Sequence, residues 1–173
     1  MSNYVLRICL DLNIWCAALL ADRKGKENTA SQKLVTLVRE GVCIWEDVKV
    51  SLRLIISLPM LERLNLVLRR DFKLSSDTAN QYINLIEQYA YPNPRLILGG
   101  GVVRLEDTED AQVLETAIAS QCDLLVTANL RDFLDTDVEV IQEDRWAVYH
   151  APNHEIYIIH PFLAAHWLNY FYS

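Results

Sequence analysis

Apolar residues run almost unbroken from Tyr4 to Leu10 and stop at Asp11, after which NIWCAALLA starts a helical pattern. Further along, TASQKLVTLVREG puts Leu34, Leu37 and Val38 on one helical face, with Gly41 placed to end it. LRLIIS (residues 52–57) predicts a second buried strand, and LPMLERLNLVLRRDF a helix with Pro59 in its first turn. SSDTANQYINLIEQYA predicts another helix, striped by Ala79, Tyr82, Ile83, Ile86 and Tyr89. LILGGGVVRL predicts one or two short strands around Gly99 to Gly101. A helix from about Asp110 to Gln121, a strand DLLVT, a loop and a strand VEVI come next. VCIWEDVKV fits either an insertion or a strand ahead of LRLIIS. Strands alternating with helices predict an α/β fold, a parallel sheet covered on both faces and joined by right-handed crossovers.

A chain of 173 residues is long enough for one well-cored domain. With 51% hydrophobic and 23% charged residues, a disordered or fibrous class is excluded. The formal net charge of −7 rules out a global basic field, so an anionic partner needs local Lys/Arg clusters or a bound cation. Cys9, Cys16, Cys43 and Cys122 form no C-x-x-C pair and sit in apolar stretches, which predicts buried thiols. MSNYVLRIC has neither the basic start nor the cleavage site of a secretory signal, so the expectation is a cytoplasmic protein.

The acids change the picture most. Ligands of open α/β sheets bind beyond the carboxyl ends of the strands. Asp11 lies at such an end, as does the loop TANLRDF, and Glu62 sits early in the helix after LRLIIS. Positions 110, 113, 114, 117 and 118 share one helical face, so Asp110 continues an apolar stripe while Asp107 and Glu109 can face water. Each acid has an ordinary reading: Asp11 as a helix cap, Glu109 or Asp110 as partners of the helix dipole. Glu62 only borders the stripe of Leu61, Leu64 and Leu68. Three acids from separate segments at one rim point instead to a site. Clustered carboxylates repel unless a cation holds them. Oxygen ligands without nearby His or Cys suit Mg²⁺ or Mn²⁺. Such a site can stabilise in-line attack on a phosphodiester.

On these residues the sequence resembles a PIN domain, the metal-dependent nuclease fold of many bacterial toxin–antitoxin toxins. The resemblance covers roughly residues 4 to 142 and is of the PIN_3-like branch. ICLDLNIWCAALL is similar to the family's strand–Asp–x–Asn–helix opening and gives Asp11 and Asn13. IISLPMLERLNLVLRR resembles its Ser-x₄-Glu segment and gives Ser57 and Glu62. DTEDAQVLETAIASQCDLLVTANLRDF resembles its third block and gives Asp110. The resemblance implies a three-layer α/β/α sandwich around a central, mostly parallel sheet. It further implies a divalent-metal endoribonuclease in which Asp11, Glu62 and Asp110 hold the Mg²⁺ or Mn²⁺ ion. Leu12 stands where Thr is commoner. Thr127-Ala128-Asn129 stands where many members have Thr-x-Asp, so Asn129 can coordinate through its neutral amide oxygen or hold a ligand water, and Asp132 can supply the missing charge. Arg131 is the first choice for a phosphate contact, and the Arg69, Arg70, Lys73 cluster the second.

The expected organisation is a single PIN-like domain over 1–173, with a core of about 4–142 and a C-terminal extension of 143–173. From Ile156 onward the chain has no Lys, Arg, Asp or Glu. Pro161, two histidines and Asn169 argue against a membrane helix, leaving a docked helix or a contact surface for a homodimer or an antitoxin protein. His150, His154, His160 and His166 are too loosely spaced to read as metal ligands. Aspartyl-phosphate hydrolases need a second acid at Asn13, and receiver domains a later Lys, so both fit less well. The main alternative to a ribonuclease acting on RNA is a PIN-like module that binds RNA or a partner without cutting.

Overall fold

In the computed structural model the described residues are 4–90, 107–135 and 137–168. The expected strands of LILGGGVVRL and Asn169 lie outside them.

The apolar run becomes strand β1 (Val5–Leu10), and helix α1 (Leu12–Arg23) begins one residue after Asp11. Helix α2 (Ala30–Glu40) starts at a reciprocal cap between Thr29 and Gln32. It ends at Gly41, whose φ of +70° is the left-handed stop the sequence predicts. VCIWEDVKV resolves into a hairpin, strand β2 (Val42–Trp45) turning back into β3 (Val48–Ile55). Glu46 and Asp47 take positive φ in the turn. Helices α3 (Leu58–Arg70) and α4 (Ser76–Ala90) come next, the latter burying Ala79 and Ile86 of its expected stripe.

Helix α5 (Thr108–Ala119) begins two residues before Asp110, because Asp107 accepts a hydrogen bond from the Glu109 N–H at 2.7 Å. Strand β4 (Leu124–Val126) leads into a short 3₁₀ turn, Leu130–Phe133. Strands β5 (Val138–Gln142), β6 (Trp146–His150) and β7 (Glu155–Ile159) and helix α6 (Pro161–Trp167) complete the chain.

The strands form one seven-stranded sheet in the order β2-β3-β1-β4-β7-β6-β5. The central four, β3, β1, β4 and β7, are parallel. The edges are antiparallel, β2 on one side and β6 and β5 on the other. Helices α1, α2 and α6 pack together, as do α3, α4 and α5, covering the sheet. This is an α/β fold with a mixed, mostly parallel centre. VEVI differs from expectation, since β5 is an exposed antiparallel edge strand.

The stretch expected to be an extension is part of the sheet. Ile156, Ile158 and Ile159 of β7 are buried, and β7 pairs with β4 inside the sheet. Its uncharged sequence therefore reflects a strand covered on both faces, and only the segment after Ile159 forms a docked helix. Trp167 of α6 closes edge-to-face on Trp45 and Trp146. The four cysteines are free thiols, and burial pushes Cys16 and Cys43 up to about 11. Among the described residues, no helix is long and apolar enough to cross a membrane.

Candidate active site

Sheet register assembles the site. Leu10 pairs with Val126, and Val126 with Ile159, so the next residues along each strand emerge together at the carboxyl edge. These residues are Asp11, Thr127 and His160. Two backbone bonds extend the ladder one step, from Asp11 N to Val126 O (2.9 Å) and from Thr127 N to Ile159 O (3.0 Å).

Asp11 is both a cap and a site residue. Its Oδ1 accepts from the Leu12 N–H at 2.7 Å. Its Oδ2 accepts from Thr127 Oγ1 at 2.8 Å and from Asn13 Nδ2 at 3.1 Å. Asn13 Oδ1 in turn accepts from the Ala128 N–H, and Thr127 Oγ1 from the Asn129 N–H. Asp11, Asn13 and Thr127 therefore lock the loop after β4 onto the end of β1. Asp11 is only 7% exposed, and burial raises its pKa against the opposing pull of Thr127 and Leu12.

Asp110 stands opposite on the first turn of α5, half-buried as its place on the stripe predicts. Desolvation, then the charges of Asp11, Asp107, Asp132 and Glu109, push its pKa up to about 7. Asp132 acts on Asp11 as well. Asp11, Asp110 and Asp132 thus share one field, and no cation is among the groups that most shift either of the first two. Arg63 is turned to this rim but is engaged by Glu109. Ser57 is fully buried behind α5, its Oγ 2.9 Å from Thr116 Oγ1, where it fixes the approach of α3 to α5.

The remaining predicted residues are placed differently. Glu62 is exposed on α3 and is not among the charges that most shift Asp11 or Asp110. Asn129 and Asp132 are exposed on the 3₁₀ turn and its approach. Arg131, on that same turn, makes a bidentate pair with Asp144 at 2.8 and 2.9 Å. Arg70 pairs likewise with Asp71. The loose spacing of the histidines gives His160 no place at the site, yet with Asn129, Arg131, Asp132 and Asp144 it lines a cleft of about 470 Å³. The one signal was His-Pro at the start of an apolar segment, a cap with proline at the first helical position.

A protein-family model described as PIN domain matches residues 7–131. The chain belongs to the PIN domain family. No curated protein sequence matches it. The match spans the strand ends that carry Asp11, Ser57 and Thr127, and α5 with Asp110. PIN domains are nucleases in general, so acids at this rim are where a nuclease chemistry would be sought.

Carboxylate oxygens are the donors that hard divalent cations take, and Asp110 is raised first by desolvation and then by the charge of Asp11. As the side chains stand, no group of three or more His, Cys, Asp or Glu among the described residues could hold an ion. Asp11 is held by three hydrogen bonds, Asp110 is half-buried, and Glu62 and Asp132 are exposed. Thr127→Val tests the hold on Asp11. Losing its hydrogen bond leaves the buried Asp11 carboxylate underpartnered and should cost about 1–3 kcal/mol of stability. Urea unfolding in EDTA checks this; an unchanged midpoint would mean that Thr127 does not hold Asp11.

Proposed function

We propose that this PIN domain is a divalent-metal-dependent endoribonuclease that hydrolyses RNA phosphodiesters. The observation that carries the reading is buried Asp11 at the end of β1 with Asp110 on the first turn of α5, close enough that, after desolvation, the Asp11 charge is the largest influence raising the Asp110 pKa. Carboxylates brought close together repel one another unless a cation offsets their charge. Asp11 and Asp110 would hold Mg²⁺ or Mn²⁺, joined by Glu62 or Asp132. The ion would supply positive charge to the phosphate and acidify the attacking water.

The chain's own groups do the rest. Thr127 and Asn13 are positioning residues that fix the Asp11 carboxylate. The exposed Asn129 amide is set to hydrogen-bond a water or phosphate oxygen, replacing a fourth acid by a neutral group. Asp110, raised to about 7 by desolvation and neighbouring acids while no cation is bound, would give up its proton when the ion binds, so binding should release a proton near neutral pH. The water oxygen bonds phosphorus, the bond to a bridging oxygen breaks, and that oxygen leaves with a proton. Family membership supports a toxin role with RNA as substrate and an antitoxin as partner. A homodimer through the aromatic C-terminal face belongs to the same proposal.

Incubation of a mixed RNA pool with the intact chain tests this. Cleavage is expected with Mg²⁺ or Mn²⁺, abolished by EDTA and by Asp11→Asn. The open arrangement of Glu62 and the missing third ligand favour a second reading, a binding module without activity. Equal inertness of wild type and Asp11→Asn across both metals would establish that reading instead.

A further inference from the structure

A cleft of about 770 Å³ is lined by Lys24, Lys26, Lys33, His160 and His166 and by no Asp or Glu. The chain has 23 acids and five lysines, and three of those lysines are here. Among the described residues neither Lys24 nor Lys26 joins an ion pair. The cleft runs between the α1–α2 connection and α6, and shares Ala128 and His160 with the cleft that holds Asn129 and Asp132. It is therefore the basic approach to the acidic rim.

At the junction stands an unusual surface. Phe162 is 67% exposed, and the His160 ring lies nearly parallel to it, 22° between planes and 5.3 Å between centroids. The Phe162 N–H donates to His160 Nδ1 at 3.3 Å, which fixes the imidazole. The register of β7 on β4 fixes the backbone beneath it. A single exposed aromatic is ordinary. An anchored aromatic pair beside Lys24 and Lys26, one residue past a strand that leads into the site, has the parts of a single-strand binding groove. Stacking on an aromatic face holds a base of any sequence, and ammonium groups track the phosphates.

We propose that His160 and Phe162 form a nucleobase platform, with Lys24 and Lys26 as phosphate contacts, that positions single-stranded RNA across the acidic rim. The proposal rests on the nuclease reading for its substrate. Its residues lie outside those that position the acids, and the platform itself lies beyond residues 7–131, where the family match ends. It gives α6 a role as a binding element of this chain.

The test is fluorescence anisotropy of a labelled short single-stranded RNA with the full-length chain carrying Asp11→Asn, in EDTA, so that neither metal nor cleavage is needed. Phe162→Ala in that background should weaken binding about tenfold, and Phe162→Trp should retain it. The pair Lys24→Ala and Lys26→Ala should weaken binding and reduce the slope of log K against log salt by about 1.4, two single-strand phosphates' worth. Arg39→Ala in the last turn of α2 should change neither. Circular dichroism melts of each variant confirm folding, which the exposure of Phe162 favours. Unchanged affinity of the folded Phe162→Ala chain would overturn the platform. So would binding of a labelled acidic peptide in place of RNA. If wild type cuts no RNA yet Phe162→Ala weakens binding, the platform stands and the nuclease reading falls. If wild type cuts and Phe162→Ala leaves both KM and affinity unchanged, the reverse holds.

Discussion

Asp110→Asn should raise the melting temperature of the EDTA-treated protein at pH 8 while reducing metal-dependent cleavage by about 10³-fold or more. The cleavage loss corresponds to about 4 kcal/mol of transition-state stabilisation, as expected for removing a charge that would hold the ion. The stability gain has a different origin. Desolvation and neighbouring carboxylates raise Asp110 from 3.8 to about 7 in the folded chain. A group raised on folding binds its proton more tightly in the native state. Its contribution is fully present below about pH 4 and is lost as pH climbs through 7. At pH 8 the folded chain carries the charge unrelieved, and asparagine removes it.

Asp110 is partly exposed, so solvent screens much of the cost, leaving a gain of about 1–2 kcal/mol. For a chain of this size that is a rise of about 3–6 °C. The gap between wild type and variant should shrink toward pH 4. Saturating Mg²⁺ should reverse it, because only the wild type gains the ion's binding energy. Thermal melts across pH, with and without metal, check all three. A variant that melts lower than wild type at pH 8 in EDTA would mean that the Asp110 carboxylate is already compensated.

Phe133→Ala should be the most damaging single change to the site's support. Phe133 is fully buried at the end of the 3₁₀ turn, which packs against α5. Truncating a buried phenylalanine costs about 3–5 kcal/mol through lost transfer energy and the cavity left behind. Urea unfolding should show that loss, with the slope unchanged. Asn129, Arg131 and Asp132 hang from the same turn, so cleavage should also fall under conditions where the variant remains folded. Phe133→Leu should restore most of both. Full activity in a destabilised Phe133→Ala chain would show that the turn's position does not matter to the reaction.

The parts of this molecule that depend on local pattern are legible in its sequence. An apolar run that ends in an acid locates β1 and Asp11. Helical spacing places Asp110 inward, and its half-buried carboxyl agrees. Features that depend on pairing between distant segments are hidden. His160 reaches the rim only because Ile159 pairs with Val126, and no spacing of histidines records that. Arg131 reads as a phosphate contact until the β5–β6 turn brings Asp144 to it. In that turn Asp144 takes a φ of +55°, a conformation that aspartate tolerates better than most residues. The uncharged tail is ambiguous for a physical reason. A strand buried on both faces and a sticky surface both lack charge, and only a neighbouring strand tells them apart.

The sheet order also dictates when the site can exist during synthesis. The bond from Thr127 to Asp11 spans 116 residues, and β7, which follows β5 and β6 in the chain, sits between β4 and the β6–β5 edge. Contacts so distant along the chain form late and slowly. A ribosome that has released the chain only as far as Gln142 holds both acids, but β4 still has one open flank. The Ile159 carbonyl that receives the Thr127 N–H has not yet been made. The backbone bond that ties Thr127 to β7 therefore waits until Ile159 has been made.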